Sequence, residues 1–110
     1  MSNTLEVANE INRQVNALDY WCRAYIGVKS SVAVTRNGMD GLTYVCNKGI
    51  YVEVLLDAGK DLYEVRSYKL GRGKNSLRCN FKYEAIEVYA DVLADTVREA
   101  YDNYFPSRLI

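Results

Sequence analysis

The feature that most limits what this chain can fold into is a change in apolar period. Leu5, Ala8, Ile11, Val15, Leu18 and Cys22 recur at steps of three and four residues, the spacing of one helix face. From Ser30 to Lys69 the step becomes two, with β-branched and aromatic residues alternating between turn signals. From Tyr83 onward the helical step returns through Ile86, Tyr89, Ala90, Leu93, Val97, Ala100, Tyr101 and Tyr104. A chain with this pattern is neither an all-helical bundle nor a parallel α/β fold, in which helices and strands alternate.

The first helix is expected over about Thr4 to Leu18, with an end at Trp21 as the alternative, and Asn3 and Glu6 are spaced as a capping box. Strands follow at Ser31–Thr35, Leu42–Cys46, Ile50–Leu56 and Leu62–Lys69, with a short fifth at Leu77–Phe81. Arg36 to Gly41 contains both Asn-Gly and Asp-Gly, and Asn47-Lys48-Gly49 and Asp57 to Asp61 supply two more hairpin-length turns. Connections this short make neighbouring strands antiparallel. The second helix is expected to be long, from Tyr83 to near Phe105, where Pro106 stops it. The expected architecture is a single α+β domain over residues 1–110. It is a two-layer sandwich of an N-terminal helix, a four- to five-stranded antiparallel meander and a long C-terminal helix.

Composition removes several chemistries. The 110 residues include no His, so imidazole zinc sites, Ser-His or Cys-His nucleophiles and His acid–base catalysis are excluded. Cys22, Cys46 and Cys79 have no C-x-x-C spacing and read as reduced, buried thiols, which points to a cytoplasmic protein. The opening residues lack a signal-peptide pattern, and no apolar run is long enough to cross a membrane. Asp40, Asp57 and Asp61 lie in turns, where Asp serves the local backbone, so no metal site and no cofactor are expected. Gly71-Arg72-Gly73-Lys74 matches neither the phosphate-binding loop nor the dinucleotide fingerprint, since Ser76 stands where the third glycine is needed.

Charge is balanced overall, at fourteen basic and fourteen acidic residues, but not locally. On the expected second helix Glu84, Glu87, Asp91, Asp95, Glu99 and Asp102 face a single Arg98. Residues 84, 87, 91, 95 and 102 form an acidic stripe suited to a basic partner surface. Between Arg66 and Lys82 the chain carries Arg66, Lys69, Arg72, Lys74, Arg78 and Lys82 with no acid, six positive charges that would attract phosphate. Ten tyrosines exceed the needs of a small core. Tyr51 and Leu55, on the strand face opposite Ile50, Val52 and Val54, are expected on an open aromatic patch suited to a protein partner or a second copy.

The order helix, strands, helix resembles in outline the double-stranded RNA-binding domain, which implies phosphate contacts at the start of the last helix. Lys82-Tyr83-Glu84-Ala85-Ile86-Glu87 places two acids there, so no residue's role is carried over. The combination of one small domain, no catalytic set and uneven charge is similar in style to phage-encoded inhibitors of host defence, anti-CRISPR proteins among them. The expected function is that of a non-enzymatic binding protein of the inhibitor or regulator type, occupying a surface of another macromolecule. Glu84, Glu87, Asp91, Asp95, Asp102, Tyr51 and Leu55 are the expected contacts to a protein. The alternative is nucleic-acid binding through the basic 66–82 segment.

Overall fold

A computed structural model describes residues 4–70 and 79–104. In chain order the elements are α1 (Thr4–Leu18), α2 (Cys22–Tyr25), β1 (Ser30–Arg36), β2 (Met39–Val45), β3 (Tyr51–Asp57), β4 (Leu62–Leu70), β5 (Cys79–Val88) and α3 (Leu93–Asp102). One-turn 3₁₀ segments at Asn47–Gly49 and Ala90–Val92 precede β3 and α3. The five strands form one antiparallel sheet in the order β1-β2-β3-β4-β5, as the short connections require. Asn3, Gly71 to Asn75, Arg72, Lys74, Arg78 and Pro106 lie outside the described residues.

The tightest connection is Asn37-Gly38, both in the left-handed region (φ 53° and 78°), as the primed two-residue turns that match strand twist demand. Here β2 begins directly after the turn, at Met39, so Asp40-Gly41 belongs to a strand and not to the turn expected for it.

Both long helices cover the same sheet face. α1 lies on β1 and β2, and α3 on β3, β4 and β5, with the two helices in contact. Ala8, Ile11 and Val15 of α1 are buried in one core with Leu42 and Tyr44 of β2, while Leu5 and Leu18 at the two ends of the apolar stripe stay exposed. Two tyrosines keep their ring in the core and send the hydroxyl back to the helix. Tyr44 OH donates to Asn12 Oδ1 (3.0 Å), and Tyr63 OH donates to Gln14 Oε1 (2.8 Å). Leu93, Ala94, Val97, Ala100 and Tyr101 bury the α3 face as the helical period requires.

The second helix begins ten residues later than its apolar spacing indicates: residues 83–88 continue β5, paired with β4. Tyr83 and Ala85 point toward the core side and Glu84 and Ile86 away from it, which is strand alternation. At Ile86-Glu87 the ladder shifts register and Glu87 takes φ 56°, so both side chains face solvent before Val88 turns in again. That extra residue places Ala85 and Val88 three apart, a helical spacing produced by a bulge.

Candidate protein-binding surface

The acidic stripe is divided by this boundary. Glu84 and Glu87 sit on an edge strand, Glu84 Oε2 meeting Arg66 Nε at 2.9 Å and Glu87 Oε1 meeting Lys60 Nζ at 3.4 Å. Asp102, on α3, accepts the Tyr25 hydroxyl at both carboxylate oxygens (2.7 and 2.8 Å), a contact inside the fold. Only Asp91 and Asp95 remain exposed and, among the described residues, without an ion pair.

The helix-free sheet face is not the open aromatic patch expected of it. A row runs across it through Val32, Thr43, Glu53, Arg66 and Glu84. Leu55, expected as an exposed anchor, is fully buried. Gly41, opposite Leu55, leaves it room: a Cβ at 41 would come within 2.8 Å of Leu55 Cδ2. Tyr51 is half-buried and stacks on Tyr68 (centroids 5.3 Å apart, 12° between planes). Beside them Glu53 is fully buried, its Oε1 accepting Arg36 Nε (2.5 Å), Thr43 Oγ1 (3.0 Å) and Tyr68 OH (3.3 Å). This carboxylate raises the affinity of the Arg36 guanidinium for its proton. The arrangement is structural, a charge held by partners from β1, β2 and β4.

The basic segment also divides. Arg66 is nearly buried between Glu64 (3.0 Å) and Glu84, and Lys69 lies over the Tyr104 ring at 5.1 Å. Lys82 lies in β5, and Arg72, Lys74 and Arg78 fall outside the described residues. Burial pushes the Cys22 thiol up to about 11 and the Cys46 thiol up to about 12, away from the thiolate a nucleophile needs. Among the described residues no three His, Cys, Asp or Glu side chains converge as a metal site, and no helix is long and apolar enough to cross a membrane.

Among the described residues the most exposed large hydrophobic side chains lie elsewhere, in the turn between α1 and α2. Tyr20 is 75% exposed and Trp21 68%, their rings packed edge to face with centroids 5.1 Å apart. Asp19 holds this turn from one side, its Oδ1 accepting the Trp21 amide at 3.2 Å. Its carboxylate is in turn clamped by Arg98 of α3, at 2.6 Å from Nε to Oδ2 and 3.0 Å from Nη2 to Oδ1, with the guanidinium 4.4 Å from the Tyr25 ring centre. Cys22 anchors the following residue in the core, its Sγ 3.7 Å from Ala94 O. The aromatic pair is therefore carried on a turn fixed on both sides, which keeps the entropy of holding it in place low.

Two shallow clefts lie along the C-terminal half of α1, and the pair lines one of them. One, of about 380 Å³, is lined by Asn16, Tyr20, Trp21, Arg23 and Ala24. The other, of about 320 Å³, lies between the end of α1 and the 3₁₀ turn and is lined by Arg13, Gln14, Ala17, Leu18, Ala90 and Asp91. Leu18 and Asp91 face each other across this second cleft, Tyr89 and Val92 are exposed on either side of Ala90-Asp91, and Asp95 is exposed in the first turn of α3. Continuing the first helix past Leu18 through Trp21 hides this feature, and the stripe permits that because Cys22 falls four residues after Leu18. The signal that marks it is that Tyr20 and Trp21 are large aromatics off that stripe.

Compared with known proteins, the chain matches no family model, no curated protein and no solved structure.

Proposed function

We propose that this is a non-enzymatic, cytoplasmic binding protein that acts on another protein as an inhibitor or regulator, by covering part of its surface. The observation that carries the reading is the clamped, solvent-exposed Tyr20–Trp21 pair. Trp and Tyr dominate the energetics of protein interfaces because they bury large area with few rotatable bonds, and two of them held rigidly in solvent serve no packing purpose. Leu18 and Val92 extend the contact, and Asp91 and Asp95 favour a partner whose apolar socket has a basic rim. The function thus uses two of the acids expected from the sequence and replaces Tyr51 and Leu55 as anchors by Tyr20 and Trp21.

The test is affinity capture from the protein's native cell lysate with and without nuclease, comparing the unaltered chain with Tyr20→Ala/Trp21→Ala. A stoichiometric protein partner that survives nuclease and is lost with the double variant is expected. Retention of that partner by the variant, or recovery only of nuclease-sensitive material, refutes the reading.

A further inference from the structure

The two edges of the sheet are built differently. β5 carries Glu84 and Glu87 on its exposed side and departs from regular pairing with β4 at two places, devices that keep an edge from pairing with another chain. β1 has none of them. Its sequence, Ser30-Ser31-Val32-Ala33-Val34-Thr35-Arg36, has no charge before Arg36, no proline and an unbroken register with β2. Ser30, Ser31, Val32 and Thr35 are exposed, Val32 at 51%.

The direction of the free backbone groups on this edge follows from the ladder. Cys46 N donates to Ile50 O at 2.8 Å, in step with the Val45–Tyr51 register, so the even-numbered residues of β2 bond to β3 and the odd-numbered ones face β1. Their partners on β1 are Ser30, Val32, Val34 and Arg36, in keeping with Arg36 and Met39 closing the two-residue turn as a bonded pair. The N–H and C=O groups of Ser31, Ala33 and Thr35 therefore point away from the sheet, and among the described residues no other backbone bonds them.

These groups are complementary to themselves. Antiparallel pairing of two β1 strands about a two-fold axis at Ala33 sets Ala33 against Ala33 of the second copy and Ser31 against its Thr35. Every outward N–H then meets an outward C=O. In the same register Val32 lies opposite Val34 of the second copy, twice, as non-bonded pairs whose side chains approach most closely, and this covers the exposed Val32. No like charges oppose. Arg36 faces Ser30 and is already paired with Glu53, while the exposed Lys29 end of one strand runs beside the Thr35–Asp40 end of the other. We infer that β1 is a homodimerisation edge, joining two copies through an antiparallel β1–β1 pair centred on Ala33 into one continuous ten-stranded sheet.

The full chain is tested by sedimentation velocity from low micromolar to near-millimolar concentration, together with amide hydrogen exchange read by NMR. A dimer is expected in which the amides of Ser31, Ala33 and Thr35 gain protection as concentration rises, while those of Val32 and Val34 are protected throughout. Ala33→Pro removes the central outward donor without touching the β1–β2 ladder and weakens the dimer by about tenfold or more, with unchanged circular dichroism. Val32→Lys, at a position exposed in the monomer, gives a second variant with the same expected effect. A chain that stays monomeric throughout, a dimer that protects other amides instead, or a dimer unaffected by the folded variants overturns the proposal.

Discussion

Replacing Arg36 by Leu isolates the one carboxylate that this sheet holds out of water. Glu53 is fully buried, and three donors converge on its Oε1, of which only the guanidinium is charged. Without Arg36 the Thr43 and Tyr68 hydroxyls remain, two neutral donors for a buried anion. Removing one partner of a buried ion pair costs about 3–5 kcal/mol. The Arg36 side chain is 41% exposed, so water already shares its charge, and the lower end, about 3 kcal/mol, applies here. Against a total stability of about 5–15 kcal/mol this lowers the melting midpoint by roughly 12 °C. Urea unfolding is best followed by far-ultraviolet circular dichroism, because Trp21 is exposed in the folded state and its fluorescence reports little. Adding Glu53→Gln, which retains an acceptor for both hydroxyls and removes the charge, recovers at least half the loss. A loss below about 1 kcal/mol, the range of an exposed pair, refutes the reasoning. So does a double variant whose losses simply add.

Gly41→Ala places a Cβ within 2.0 Å of Val54 O and 2.8 Å of Leu55 Cα, both backbone atoms, and is expected to destabilise by about 2 kcal/mol or more in the same urea assay. Alkaline unfolding follows from the buried acids. The thiols of Cys22 and Cys46 are raised to about 11 and about 12 and the Tyr44 hydroxyl is raised too, all chiefly by burial. The folded state then keeps protons that the unfolded state releases. Stability is full below about pH 9 and falls above it, by up to about 2.7 kcal/mol per pH unit for the two thiols; a flat thermal midpoint between pH 9 and 11 contradicts this. The same burial makes both thiols unreactive toward iodoacetamide at pH 8 until urea unfolds the chain, and labelling of Cys22 or Cys46 in the folded protein counts against it. Tyr20→Ala/Trp21→Ala is expected to leave the urea midpoint within about 0.5 kcal/mol of its original stability, since both rings face solvent.

The legible parts of this fold are those in which local spacing and packing agree. α1 spans the residues its period indicates, because its apolar stripe and the sheet's apolar rows bury each other. The meander is readable from its turns, above all Asn37-Gly38, whose positive φ values only a few residue types accept. The start of the second helix is misread because the bulge at Ile86-Glu87 inserts one residue into a strand and converts a step of two into a step of three. The helix-free face is misread because an alternating strand does not reveal what lies against its second face. Glu53 between two apolar neighbours and Gly41 inside a strand are the local signs of it, and each acquires meaning only through a register that joins residues ten or more positions apart. Of the surface proposed to bind a partner, Asp91 and Asp95 are legible as exposed acids. Tyr20 and Trp21 are not, since the clamp that presents them joins Asp19 to Arg98 across most of the chain.

The order of the elements also sets a sequence of events at the ribosome. β3 and β4 are complete at Leu70, yet the helix that covers them, α3, is complete only at Asp102, thirty-two residues later. At about 5–20 residues per second, roughly 2–6 s pass in which Val52, Val54 and Val65 line a nascent sheet with its principal cover still unsynthesised. The helix-covered face of β3 and β4 therefore closes only when the last helix has been made, a delay set by the order of the elements alone.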